Sequence, residues 1–599
     1  MEKLSLKSLL AFPKRYTRLF LLCFFVAALF YIFAPEGNAG SPSTIELATG
    51  NVSGDSNYPP IEYPEPQMTP DNTDNKPPLF KAYRAYEDKV AQWNMEKYGK
   101  PSDKYIFVAN HAWGAGWGNI MQEMVFHTLL ASGSGRGYVW DDYTWGLPPQ
   151  EYSDFNGKTI PARVPLSTMI GGYLLGLPVP QANGSSPILP PSISRRQYES
   201  MCPESHRVVI DRALVQEHHG QDRDLNWNAS GKEVLDAWLA YLNKSDIKDK
   251  KCVEIKFGST QVFDIWILNN ERVHTLLDTI YRSPVLTGWG WSKLIQGVFE
   301  RNVAHFVSAK SLLSSAASTT GSRFSRLFSN AETTIRIDGR NVPSSVLRHV
   351  TNSQDSTLPL LVLHLRRGDY GDHCDHLAEY RSQYIGISML PEFQRDSFVP
   401  PEYLHQDKKA PNSTEGVEFV ENVDAMKPIY RKHCFPDIYA IKRRVREVLR
   451  DYEQHLALKN GRTGFFGSQG GFWPWIVGRA KAKANKRVKK IYIMSNGDKE
   501  WLKEVSEALK DDADRSIGAR VPSLSREEAE WEFLWSWDEI SSSRDIVVGW
   551  EENRVSQILD MYVAQRAELF VGNGFSTLTS NIVMLRRKNG YDPIQTRFW

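Results

Sequence analysis

The chain has 599 residues, 41% hydrophobic and 24% charged, a composition that suits a folded protein of roughly two to four domains. Its 72 basic residues are balanced by 70 acidic ones, which excludes the broad basic surface of a nucleic-acid binder, so no nucleic-acid partner is expected. Aromatic residues reach 12%, enough to fill a large core or to offer flat ring faces to sugars, and composition leaves both readings open.

The first predicted element is an apolar run, Leu19 to Ala34, LFLLCFFVAALFYIFA. As a helix it spans roughly 24 Å, which fits the thinner membranes of the early secretory pathway. Tyr16 and Tyr31 suit its interfaces. Lys3, Lys7, Lys14, Arg15 and Arg18 precede the run, and Glu36 and Glu46 follow it. The positive-inside rule then predicts a single-pass type II protein of the Golgi or endoplasmic reticulum, with everything after residue 35 in the lumen. A signal peptide cut near Asn38-Ala39-Gly40 is the alternative, and it leads to the same compartment. Asn51, Asn183, Asn228, Asn243 and Asn412 each open an N-x-Ser/Thr sequon. Outside the anchor lie Cys202, Cys252, Cys374 and Cys434, an even set suited to two disulfides. Three connectivities exist; we expect Cys202 with Cys252 and Cys374 with Cys434, one within each half.

From Pro35 to about Pro78 the chain is rich in Pro, Asn, Asp, Ser and Thr, and reads as a disordered stem. A short helix over Lys81–Lys100 leads into the folded part. Strand Lys104–Ala109, a glycine-rich turn Trp113–Gly118, an amphipathic helix Asn119–Ala131 and strand Tyr138–Trp140 give the rhythm of a doubly wound α/β domain. The next two hundred residues carry proline-rich loops near 178–191, helices at Glu233–Leu242 and Trp291–Glu300, and a polar stretch from Ser311 to Ser329. The rhythm restarts with LPLLVLHL at Leu358, a strand buried on both faces. Helix Asp437–His455, strand Val488–Ser495, helix Lys499–Lys510, helix Glu551–Arg566, strand Glu568–Val571 and helix Ser576–Arg587 follow. A Gly/aromatic loop, Gly461–Trp475, and the basic run Arg479–Lys490 read as a solvated insertion, with acceptor or membrane-surface contact as the alternative. The expected division is a cytosolic tail (1–18), an anchor (19–34), stem and linker (35–100), an acceptor-side α/β domain (101–350) and a nucleotide-sugar-binding α/β domain (351–599).

The strongest chemical feature is His364-Leu365-Arg366-Arg367-Gly368-Asp369, placed where the buried strand ends. Ligands of α/β folds bind at that edge. Two adjacent arginines on a strand cannot both face a cleft; one can, and its fork of donors suits a diphosphate whose charge grows as it departs. A strand-end salt bridge is the structural alternative, and Arg367-Gly368-Asp369 also reads as an adhesion tripeptide. Near the C-terminus, Leu569-Phe570-Val571-Gly572-Asn573-Gly574-Phe575-Ser576-Thr577 is a strand-to-helix turn, and a helix N-terminus is an anion site. Ser576 is there either as an N-cap, as a phosphate ligand, or as both.

These two motifs, with Trp117-Gly118-Asn119 in the glycine-rich turn, resemble in kind and order those of the GDP-fucose protein O-fucosyltransferases and their α1,6- and α1,2-fucosyltransferase relatives, as a divergent, fungal-type member. The resemblance implies a GT-B-like fold, two tandem Rossmann-like domains facing across a cleft, after one transmembrane helix and a stem. It implies GDP-fucose as donor substrate, no cofactor and no metal, and a luminal protein or glycan as acceptor. By the same resemblance Arg366 neutralises the diphosphate, Ser576 and Thr577 bind phosphate oxygens, Asn119 orients donor or acceptor, and His364 buttresses the site. Gly116 and Gly118 let the backbone approach the sugar nucleotide, and Asp369 and Asn573 complete the two motifs. Ser495-Asn496-Gly497-Asp498 departs from the family, which carries an aspartate where Asn496 stands. An amide presents a donor as well as an acceptor to a base edge. No carboxylate occupies the glycine-rich turn. Glu123, one turn into the helix, is the nearest acid, read either as a catalytic base or as a solvated helix face, with Asp141 and Asp142 as alternatives. A loose transition state, with the leaving phosphate taking the proton, needs no base. Asp222-Arg223-Asp224 is a D-x-D in a polar loop, and His373, Cys374, His376, His433 and Cys434 read as disulfide surroundings rather than a zinc cluster. Rival readings are the same fold with another nucleotide sugar or a glycan acceptor, and a non-catalytic carbohydrate-binding or adhesion membrane protein.

Overall fold

The computed structural model describes residues 60–70, 76–155, 157–177, 190–220, 224–225, 228–309, 334–343, 356–401, 405–408, 418–421, 423–459, 488–518 and 535–599. The expected anchor, the sequons at Asn51, Asn183 and Asn412, Asp222 and Arg223, the Ser311–Ser329 stretch and most of the basic run 479–490 lie outside those residues. Among the described residues no helix is long and apolar enough to cross a membrane.

The first half opens with α1 (Lys81–Tyr98), then β1 (Tyr105–Val108), α2 (Trp117–Gly133) and β2 (Gly137–Trp140). After β3 (Ile193–Ser194) and β4 (Val208–Ile210), α3 (Gly231–Leu242) leads to β5 (Cys252–Ile255). All pairings are parallel and the order is β3-β2-β1-β5-β4. Strand β1 is buried at every residue because both of its faces are covered. Tyr105 and Phe107 pack towards Tyr198 and the Cys202–Cys252 disulfide, and Ile106 and Val108 pack on the α2 side. Between β2 and β3 the chain forms two small antiparallel pairs, Tyr143–Thr144 with Arg163–Val164 and Tyr152–Phe155 with Lys158–Pro161.

The second half holds β6 (Leu358–Leu365), α4 (Tyr370–Glu379), α5 (Val423–Cys434), α6 (Ile438–Lys459), β7 (Lys490–Ser495) and α7 (Lys499–Gly518). β8 (Glu539–Ser542), α8 (Ser556–Ala564), β9 (Ala567–Gly572), α9 (Thr577–Lys588) and β10 (Thr596–Phe598) complete it. These strands are also parallel, ordered β8-β7-β6-β9-β10. Leu361, Leu363 and Leu365 of β6 pack with Ile441 and Val445 of α6 and Leu502 and Val505 of α7. Leu360 and Val362 face the other way, into the core that holds Ile558 of α8 and Ile582 of α9. The strands on either side of β6 are thus reached by connections on opposite faces. That topology leaves a crevice between the C-terminal ends of β6 and β9, where α/β sheets bind ligands. A second disulfide, Cys374–Cys434, ties α4 to α5.

The α/β class with parallel sheets agrees with expectation, and so do both disulfides. Two expectations are corrected. Residues 60–70, read as part of a disordered stem, lie on the folded part, where the Tyr63 hydroxyl donates to the Ser167 carbonyl at 2.6 Å and the Trp550 N–H donates to the Met68 carbonyl at 3.0 Å. α2 is not amphipathic but buried on nearly all sides, Trp117 to Ala131, because it lies between α9 and the elements of its own half. Glu123 therefore does not sit on a solvated face; it is 4% exposed.

Candidate functional site

The alternation of β6 sends its two arginines to opposite faces. Arg366 shares the face of His364 and lies over the Tyr370 ring, 4.6 Å from its centroid. Tyr370 in turn donates from its hydroxyl to the Phe575 carbonyl at 3.3 Å, which sets the guanidinium beside the turn that opens α9. The Arg366 Nε is buried and has no hydrogen-bond partner among the described residues. His364 is buried behind it, its Nδ1 2.8 Å from the Thr579 hydroxyl, and the Trp599 indole donates to its carbonyl at 2.8 Å. Burial, helped by the Arg366 charge, pushes the imidazole down to about 3, so it is neutral and positions the strand end without adding charge.

The turn into α9 is built from inside. Asn573 is fully buried, donating to the Cys434 carbonyl at 3.0 Å and accepting from the Phe575 N–H at 3.0 Å. Both ends of its amide are occupied, so it shapes the turn instead of meeting a ligand. Gly574 is required because a Cβ would lie 2.5 Å from the Tyr384 ring. Ser576 stands at the N-cap position but its hydroxyl makes no capping bond. The capping alternative is thereby corrected, and the first N–H groups of α9 are not satisfied by that side chain.

Arg367 has a different duty. It is 7% exposed, its guanidinium 4.2 Å from the Phe435 centroid and 3.8 Å from that of Trp501. It donates to the carbonyls of Arg366 (2.8 Å) and Pro436. Burial lowers its pKa to about 10, still fully charged at neutral pH. An arginine held this way cannot serve the Arg-Gly-Asp tripeptide as an adhesion ligand, although Gly368 and Asp369 are exposed. Asn496 does not offer its amide outward either. Its Oδ1 accepts from the Arg367 N–H at 2.7 Å and its Nδ2 donates to the Arg367 carbonyl at 2.8 Å. Arg544, which sequence reasoning missed, grips the Gly497 and Asn496 carbonyls, each at 3.0 Å. Ser495 accepts from the Gly497 N–H and Asp498 caps α7 through the Trp501 N–H at 2.7 Å. A cavity of about 880 Å³ opens against these residues, lined also by Asp437 and Tyr439.

That cavity lies on the Arg367 face; on the Arg366 face the first half meets the second where the N-termini of α2 and α9 touch. A Cβ on Gly118 would lie 2.6 Å from the Thr577 hydroxyl and 2.7 Å from the Leu578 nitrogen, and Asn581 donates to the Gly118 carbonyl at 2.7 Å. Gly118 is thus a glycine for helix contact, while Gly116 is exposed with nothing near its Cβ position. Asn119, next along, is half-buried. The loop before α2 is fastened from below: Glu123 Oε2 accepts from the Ala112 N–H at 2.6 Å. His111, also missed in the sequence, sets its Nε2 3.4 Å from Asp141 Oδ2 and its Nδ1 3.0 Å from the Ala112 carbonyl. Arg195 holds the same Asp141 oxygen at 2.9 Å. Despite burial, the His111 and Arg195 partners hold the Asp141 carboxyl down at about 2. Asp142 accepts from Arg84, so neither alternative acid stands free. The only sequence signal for His111 was its place between strand and turn.

No family model matches the chain, and no curated protein matches it. Among solved structures it is similar to POFUT1 in complex with GDP, at 12% identity and TM-score 0.38, over 83% of this chain and 98% of that one. It is similar to POFUT1 in complex with GDP-fucose at 11% identity and TM-score 0.36, over 83% and 99%. The apo form of POFUT1 gives 11% and 0.37, over 84% and 98%. Likeness at this level carries no functional weight, and the chemistry rests on the residues themselves.

Proposed function

We propose that the chain is an inverting glycosyltransferase that moves fucose from GDP-fucose to a hydroxyl of a protein or glycan. The observation that carries this reading is the pairing of Arg366, with its buried unpartnered Nε, and the uncapped N-terminus of α9 at one crevice. A guanidinium set beside a helix N-terminus, here through Tyr370 and the Phe575 carbonyl, suits a diphosphate. Arg366 then stabilises the charge that grows on the leaving group, and Ser576 and Thr577 add hydroxyl donors. The acceptor oxygen attacks C1 of the sugar opposite the diphosphate and the C1–O bond to phosphate breaks. The acceptor proton passes to a leaving phosphate oxygen, because Glu123 is occupied beneath the loop and Asp141 is paired. The resemblance of HLRRGD and the GNGFST turn to the fucosyltransferase motifs supplies the sugar and the nucleotide. We also propose luminal placement behind the Leu19–Ala34 anchor; both disulfides suit an oxidising compartment.

The test is calorimetric titration with GDP followed by turnover of GDP-fucose. Binding is expected for the wild type, and Arg366→Ala is expected to weaken it at least tenfold, the size of one charge-assisted pair. Equal binding by the two proteins sinks the donor assignment. GDP binding without turnover on any acceptor points instead to a non-catalytic carbohydrate-binding protein.

A further inference from the structure

The loop from His111 to Gly116 runs from the end of β1 to the helix junction at Gly118 and Thr577, and two side chains fasten it at its start. On one side the His111 ring lies against Asp141, at the end of β2, whose carboxylate Arg195 also holds. On the other side the Ala112 N–H is received by Glu123 of α2. Glu123 is buried, and its second oxygen, Oε1, has no hydrogen-bond partner among the described residues. His127 Nε2 lies one turn along α2 and 3.8 Å from it, and both nitrogens of that buried ring are also without hydrogen-bond partners among the described residues. The chemistry-bearing groups His111, Glu123 and His127 thus form a column under the loop. Tyr138 of β2 flanks Glu123, and Asp141 with Arg195 flanks His111.

We propose that His111, Asp141 and Glu123 are positioning residues that hold the 111–116 loop at the acceptor side of the crevice through two anchors that respond to protons in opposite senses. The link to the acceptor side rests on the transferase reading above; the anchoring itself does not. The geometry gives each anchor its sense. The His111 anchor is an ion pair only while the ring is protonated. Burial works against that charge, but the Asp141 hydrogen bond and charge outweigh it and hold the pKa above the ordinary value. This anchor is complete below the ordinary imidazole range and is lost as pH rises through the raised value. The Glu123 anchor strengthens when the carboxyl ionises, because a carboxylate is the stronger acceptor for an N–H. Burial pushes that ionisation up to about 7, partly offset by the Ala112 N–H and the His111 charge. Below that value the Glu123 proton has the unpartnered His127 Nε2 to point at. Acid therefore loosens the Glu123 anchor and alkali loosens the His111 anchor, so the loop is held best where the two ranges meet.

The experiment is hydrogen exchange of the 110–117 segment in the full-length protein from pH 5.5 to 9, expressed as protection after correction for intrinsic rates. Wild type is expected to show maximal protection near neutrality, with a fall of about tenfold on each side, the size of one charge-assisted bond. Glu123→Gln keeps a carbonyl oxygen for the Ala112 N–H but cannot ionise. Its profile is expected to lose the acid-side slope and keep the alkaline one. His111→Gln is expected to do the reverse, with Asp141→Asn as the substitute if it fails to fold. Unchanged protection of strand β6 serves as the folding control. A flat wild-type profile, or an acid-side slope that survives in Glu123→Gln, overturns the proposal. GDP titration of the same samples separates the two readings: loop protection that peaks without GDP binding leaves the anchors standing and removes the transferase, and the opposite outcome removes only the anchors.

Discussion

At the residue scale, Asn496 is the position where the structure most changes what the sequence implies. Set against the fucosyltransferase motif that its segment resembles, it reads as a departure from an aspartate. In place, it is a cis-amide mimic that closes two hydrogen bonds on one residue, Arg367, as donor and as acceptor. A carboxylate has the acceptor but not the donor, and it turns a negative oxygen towards the Arg367 carbonyl. Asn496→Asp, which places there the residue of the fucosyltransferase motif that this segment resembles, is therefore expected to destabilise the protein by about 1–3 kcal/mol, the cost of an unmade bond plus the facing oxygens. Denaturant unfolding of the two proteins side by side measures it, and an equal or higher midpoint for the variant contradicts the structural role. The sequence carried the identity of the residue but not its partner, because a loop hydrogen bond to a residue 129 positions away leaves no local pattern.

At the element scale, the long strands and helices were readable and the short ones were not. β6 is a run of eight apolar-rich residues, and its limits, Leu358 to Leu365, agree with the reading from its sequence. The hairpins over 143–164 have strands of two to four residues, too short for alternation to register, and two of them begin or end beside proline. Glycines show the same split between what pattern reveals and what contact decides. Gly116 and Gly118 stand two apart in one turn and read alike, yet only Gly118 touches another helix. Gly118→Ala is expected to push α2 from α9, with a loss of about 1–3 kcal/mol from overpacking and weaker GDP binding through the displaced Thr577. Gly116→Ala, at a backbone angle of φ −62° with open space around it, is expected to leave stability unchanged. Equal behaviour of the two variants in thermal unfolding and GDP titration argues against a close helix junction at this crevice.

At the scale of the whole molecule, the question is whether two halves expected from the chain's rhythm behave as two domains. Each half has its own parallel sheet, but the larger core is continuous: it joins Ile106 and Val108 of β1 to Val362 of β6 and Phe570 of β9, by way of α2. Residues 58–599 accordingly form one compact unit. Bonds across the junction reinforce this, such as Asn581 to the Gly118 carbonyl and Asn302 to the Val547 carbonyl at 2.8 Å. Separating the halves exposes the apolar flank of α2, a helix with no solvated face of its own. Scanning calorimetry is thus expected to give one transition for both halves. The two disulfides add to that state unequally in function though similarly in energy. They close separations of 50 and 60 residues, worth about 4 kcal/mol each in the chain-entropy account. Cys434, however, also presents its carbonyl to Asn573, which shapes the turn before Ser576. Replacing Cys374 and Cys434 by Ser is therefore expected to lower both the transition temperature and GDP affinity. Replacing Cys202 and Cys252 is expected to lower the temperature alone, since that bridge packs behind β1, on the face away from α2. Two resolved transitions, or equal loss of GDP affinity in both double variants, contradict a single shared core with the proposed nucleotide site fastened on the α5 side.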